Sequence, residues 1–130
     1  MEATSYKEKL SDIERGMLLK IMMDISLKDE TGISVKKQCL ANIGDVLLGN
    51  YVEPTSDFII GYNMRNEVIC KEIKSWDDYK KSLVSQLVFS LVFYEGKMFI
   101  EELNEAKFFY EKTRIKDSKF ETMIGMMFTK

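Results

Sequence analysis

The sequence predicts a single α+β domain, residues 1–130, in which a small mixed sheet built on a central β-hairpin is flanked by helices. Two observations lead there. Two β-prone runs, 57–62 and 67–73, are joined by a short turn containing Arg65 and Asn66, and a long stretch with helical periodicity follows them at once.

Taken in order, residues 6–27 carry Leu10, Ile13, Met17, Ile21 and Ile25 at helical spacing, and either Ser5 with Glu8 or Ser11 with Glu14 supplies a capping box. Thr31 and Gly32 end this helix. Ser34 can cap a second one through Val35, Cys39, Ile43, Val46 and Leu47, stopping at Gly49 and Asn50, although 46–52 also reads as a strand. Pro54 breaks the chain before the hairpin. Ser75 and Asp78 form a helix-start pattern, after which Tyr79, Leu83, Leu87, Leu91 and Tyr94 line one stripe as far as Glu95 and Gly96. Residues 98–103 read as a short strand, and Asn104 as the cap of a helix to about Ile115. Ser118 with Glu121 opens a last helix whose Phe120, Met123, Ile124 and Met127 face inward.

At 130 residues and 45% apolar content the chain can close one core and is short for two domains. Apolar stretches such as 87–93 are far shorter than the roughly 20 residues a bilayer crossing needs, and residues 1–9 lack the basic-then-apolar order of a secretory signal. The expected setting is the cytoplasm, with no membrane. Cys39 and Cys70 make no metal-binding spacing and read as reduced thiols in the core. The sequence has no histidine, which excludes a Ser-His-Asp triad, a Cys-His pair and the standard zinc sites. Carboxylate, lysine, tyrosine, thiol and oxygen-bound metal remain for chemistry. A net charge of −2 leaves any nucleic-acid contact to a local patch.

Residues 54–94 hold the chemistry-bearing pattern. On a strand, Glu72 and Lys74 share a face; a two-residue turn in the hairpin places Asp57 on that same face, whereas a three-residue loop throws it to the opposite one, and the first register is the one the site needs. Two carboxylates and an amine would converge, with Mg²⁺ or Mn²⁺ as the natural occupant. Gln86, on the helix behind, would aim its amide at them. These residues resemble the PD-(D/E)XK nuclease superfamily in Asp57, in Glu72-Ile73-Lys74 and in Gln86, which matches a glutamine of the RecB-related branch. The resemblance spans about forty residues. Pro54 is not adjacent to Asp57, and Ser90 stands where that branch has tyrosine. The resemblance implies a metal-dependent nuclease acting on DNA or RNA, with Asp57 and Glu72 binding the metal, Glu14 joining them, and Lys74 assisting the attacking water. Lys71, Lys80 and Lys81, grouped near Lys74, would meet the phosphate backbone, and Trp76 and Tyr79 could stack on bases.

Each residue also has a plain structural reading. Glu72 and Lys74 can be the solvated face of an edge hairpin, Asp57 a turn residue after proline, and Glu14 a capping carboxylate. The competing function is a non-catalytic interaction protein of immunity, antitoxin or host-inhibitor kind, which would grip a basic protein partner through Glu101, Glu102 and Glu105.

Overall fold

A computed structural model describes residues 3–49 and 53–128. Among them there is no strand. The architecture is all-helical, and this corrects the α+β expectation together with its hairpin and its sheet. The helices are α1 (Ala3–Lys9), α2 (Asp12–Ser26), α3 (Glu30–Val35), α4 (Lys37–Leu48), α5 (Ser56–Tyr62), α6 (Asn66–Lys74), α7 (Asp78–Val92), α8 (Ile100–Thr113) and α9 (Ser118–Phe128). A single 3₁₀ turn, Tyr94–Gly96, joins α7 to α8.

The periodicity of the two β-prone runs explains the correction. In 67–73 the buried positions are Ile69, Cys70 and Ile73, whereas Val68 and Glu72 are exposed, so the apolar spacing is one and four rather than two. Acidic Glu67 in the first turn of α6 and basic Lys71 and Lys74 in the last also complement a helix dipole. In α5, Phe58 and Gly61 are buried while the β-branched Ile59 and Ile60 face outward. Thr55 caps that helix by accepting from the Phe58 amide at 3.2 Å. Burial on one helical face overrides the strand propensity of isoleucine and valine.

Other boundaries shift for local reasons. The stretch 6–27 is two helices, because Ser11 closes a full capping box: its hydroxyl accepts from the Glu14 amide at 3.2 Å, and Glu14 Oε1 accepts from the Ser11 amide at 2.8 Å. Ser5 lies inside α1 rather than capping it, and Ser34 lies inside α3, a helix the sequence reading did not foresee. Helix α4 does end at Gly49, whose φ of 82° is the left-handed conformation glycine tolerates. The strand reading of 46–52 fails through Leu48, and its end, 50–52, lies outside the described residues. Ser75 terminates α6, and Asp77 caps α7 by accepting from the Lys80 amide at 2.8 Å. Residues 98–103 are not a strand: α8 starts at Ile100 and runs through Asn104. Asp117, rather than Ser118, caps α9, with Phe120 and Ile124 buried as expected and Met127's side chain outside the described set.

Helix α2 is the axis of the core. Helices α1, α3, α4, α5, α6, α7 and α8 all pack on it, and its Met17, Leu18, Ile21, Met22 and Ile25 are buried. Two polar ties fix its surroundings. The Tyr6 hydroxyl donates to the Leu83 carbonyl at 2.7 Å, joining α1 to α7, and Arg15 donates to the Leu47 carbonyl at 2.7 Å, satisfying a free carbonyl at the end of α4. No helix among the described residues is long and apolar enough to cross a membrane.

Both cysteines are free and buried. Burial pushes the Cys39 thiol up to about 11, with Lys36 pulling it down and Glu102 pushing it further, and burial also raises Cys70. Neither thiol should therefore react with Ellman's reagent at about pH 8 in the native protein, where an ordinary cysteine is partly thiolate. Both should react once guanidinium unfolds the chain. Rapid native labelling at either position would contradict this packing.

Candidate functional site

The helices do not assemble the residues that the sequence brought together. Glu72 and Lys74 sit two apart on α6, so they project about 200° from one another around the helix axis instead of sharing a face. Asp57 lies in the first turn of α5, and all three are exposed. Glu14 is occupied twice over, by the Ser11 amide through one oxygen and by Lys80 Nζ at 2.9 Å through the other. Asp57, Glu72 and Glu14 therefore do not fit a shared Mg²⁺ or Mn²⁺, and no group of three or more acidic or thiol side chains suited to a metal occurs among the described residues.

Gln86 is exposed, not aimed into the core. The buried arc of α7 runs through Leu83, Val84, Ser85, Leu87, Val88, Leu91 and Val92, and at about 100° per residue Gln86 falls opposite its centre. The basic group disperses as well. Lys71 and Lys74 are exposed on α6, Lys80 turns toward Glu14 and lies 5.4 Å over the Trp76 ring, and Lys81 points elsewhere on α7. Trp76 is buried and anchors its segment, which leaves Tyr79 as the exposed ring. The acidic stretch is broken too, because Glu102 is wholly buried and Glu105 faces Lys28 at 3.9 Å.

The concave surface lies elsewhere, where α7, α8 and α9 meet. A largely apolar cleft of about 760 Å³ runs between α8 and α9 over Tyr110, Ile115, Phe120 and Ile124. A polar cleft of about 590 Å³ adjoins it between α7 and the start of α9, lined by Asp78, Lys81, Ser82, Ser85, Gln86 and Asp117 among others. The two share Arg114, Ile115 and Lys116. Both volumes fall within the roughly 300–1,000 Å³ common for ligand pockets, and an apolar floor with a few placed polar groups is the usual composition.

The floor is built from three helices. Ser85, buried on α7, donates to Asp117 Oδ2. A serine hydroxyl has one proton, so the Tyr110 hydroxyl at 2.6 Å must be the donor to Ser85 Oγ. Asp117 Oδ1 accepts from the amides of Lys119 and Phe120, at 2.9 and 3.2 Å, and so starts α9. Burial raises the Tyr110 phenol far above its ordinary range, eased by the bond to Ser85 and raised again by Asp117, so this donor keeps its proton at any physiological pH. The Tyr110 and Phe120 rings stack at 4.2 Å between centroids, which holds α9 against α8.

Arg114 closes α8 in the left-handed region, φ 56°, where glycine is the usual occupant. For a residue with a Cβ that conformation costs roughly 1–2 kcal/mol. The Ile115 amide returns to the Tyr110 carbonyl at 3.1 Å, completing the turn that presents Arg114, Ile115 and Lys116 to both clefts. Of this site, sequence reasoning had named Lys81 and Gln86 in other roles. It missed Ser85, Tyr110, Arg114 and Lys116. The one available signal was Ser85, a hydroxyl inside the apolar stripe of α7, since a buried hydroxyl needs a partner. Comparison with family models, curated proteins and solved structures gives no match.

Proposed function

We propose that this chain is a non-catalytic binding module whose ligand lodges in the double cleft between α7, α8 and α9. The observation that carries this reading is the closed hydrogen-bond chain from Tyr110 through Ser85 to Asp117 beneath two adjoining clefts. Ser85 is buried, and the Asp117 carboxylate that receives its proton also starts α9, so these groups hold the surface of the clefts in shape. Such a module shares only its lack of catalysis with the interaction-protein alternative of the sequence reading, which had a basic protein partner held by Glu101, Glu102 and Glu105, a stretch that the burial of Glu102 interrupts. The metal-dependent nuclease reading draws on a convergence that α5 and α6 do not make. The two free thiols support a cytoplasmic setting.

Gly125 offers a direct test. It lines the apolar cleft, and a Cβ added there meets nothing within 4 Å, so Gly125→Leu puts a side chain into open space without disturbing the core. Titrating a small-molecule fragment set into isotope-labelled protein should move backbone amide signals of 81–86 and 107–125. Gly125→Leu should abolish the shifts, and Lys74→Ala should leave them as in wild type. Shifts scattered over α2 to α6, or unchanged in Gly125→Leu, would remove the cleft as the binding site.

A further inference from the structure

We infer that the occupant of the double cleft is a free anionic amphiphile, with an apolar body between α8 and α9 and a carboxylate or phosphate head at Lys81, Arg114 and Lys116; this rests on the binding-module reading. The two halves differ in the charge they leave uncompensated. Lys81, Arg114 and Lys116 line the polar half, and none of them has an ion pair among the described residues. Facing them are Asp78 and Asp117, so three cations meet two acids and the polar half is net positive. The far mouth of the apolar half sets one cation, Lys107, against two acids, Glu111 and Glu121, and so is net negative. The excess cation therefore sits at one end only, which sets the direction in which a head-and-tail ligand lies.

A second observation points to the same end. Arg114 holds a left-handed conformation that glycine would adopt at less cost, and strain of this kind gathers at ligand clamps. A guanidinium in that position can give two parallel N–H bonds to a carboxylate or phosphate. The occupant is a free molecule and not a bilayer, because the apolar half is a concave cleft of about 760 Å³ that takes up a single tail, and a net charge of −2 adds no overall draw to an anionic surface.

The test uses dodecanoate, dodecanol and dodecyltrimethylammonium with the full chain, each below its micelle concentration, followed by calorimetry and amide shifts. Dodecanoate should bind one to one in the cleft, and about tenfold or more tighter than the other two, the usual worth of a charge-assisted hydrogen bond. Arg114→Gly should weaken dodecanoate by a similar factor while its melting temperature holds or rises, a combination that a merely structural arginine would not give. Lys116→Gln should weaken it further. Equal binding of dodecanoate and dodecyltrimethylammonium, or full affinity in Arg114→Gly, would overturn the inference and leave the binding module standing, provided fragments still map to the cleft. Fragments failing to map there would end both. Co-sedimentation with phosphatidylserine vesicles that Lys116→Gln abolishes would assign the cations to a lipid surface and likewise overturn the inference.

Discussion

Replacing Lys36 by methionine should lower the stability of the fold by about 3–5 kcal/mol near neutral pH, the range found when one partner of a buried ion pair is removed. Lys36 is wholly buried at the junction of α3 and α4. Its ammonium donates to Glu102 Oε1 at 2.5 Å and to the Val92 carbonyl at 2.8 Å, and lies 5.2 Å over the Phe99 ring. One side chain thus gathers the start of α4, the end of α7 and the first turn of α8. Methionine fills the volume but leaves Glu102, whose Oε2 already lacks a hydrogen-bond partner, as an uncompensated buried charge. The pH dependence has a definite sign. Burial raises the Glu102 carboxyl above its ordinary value, with Lys36 pulling it back and Asp29 adding to the rise. An acid raised on folding contributes stability that is complete below the unfolded value of about 4.3 and is lost as pH climbs through the folded one. The cost of Lys36→Met should accordingly shrink toward acid, where Glu102 is protonated. Glu102→Gln should gain stability relative to wild type as pH rises. The double change Lys36→Met with Glu102→Leu should recover most of the loss, since well-packed apolar residues commonly replace a buried pair at little cost. Denaturant melts of the four proteins at several pH values check all three statements, and a Lys36→Met variant of wild-type stability at neutral pH would contradict the burial of the pair.

That pair shows where the sequence stops being informative. Lys36 and Glu102 are 66 positions apart, and each alone reads as a surface charge; only the meeting of the α3–α4 junction with the first turn of α8 joins them. Short-range signals fared better. The Ser11 and Glu14 box, the stop at Gly49, the stripe of Leu83, Leu87 and Leu91, and the inward face of Phe120 and Ile124 were legible because each is decided within a turn or two of helix. The hairpin was misread for the converse reason. Ile59, Ile60 and Val68 have strand propensity but are exposed, and the face that is buried, Phe58, Gly61, Ile69 and Ile73, has helical spacing. Counting which apolar residues recur at three and four, instead of weighing their branching, would have found α5 and α6. The double cleft was out of reach by any such count, since Ser85 meets Tyr110 and Asp117 across 25 and 32 positions.

Gly61→Ala should destabilise by about 2–3 kcal/mol or more, at the upper end of overpacking costs, because the added methyl meets backbone. A Cβ on Gly61 would overlap the Ile13 carbonyl oxygen and lie 3.0 Å from the Met17 amide nitrogen. The relation is reciprocal, for a Cβ on Gly16 would overlap the Phe58 carbonyl oxygen and lie 3.0 Å from the Tyr62 nitrogen. Helices α2 and α5 therefore cross with their backbones in contact, and neither can yield without moving the whole helix. A flexible neighbour could swing aside from a methyl group, but a carbonyl held in a helix cannot. Gly16→Ala should cost a similar amount, and the pair of substitutions less than the sum, since the first already forces the helices apart. Gly44 on α4 supplies the control: a Cβ there meets nothing within 4 Å, so Gly44→Ala should stabilise by about 0.5–1 kcal/mol through helix propensity alone. The same chemical change would then have opposite signs at two helical glycines of one protein. Equal effects at Gly44 and Gly61 in thermal melts would mean that α2 and α5 do not meet at their backbones.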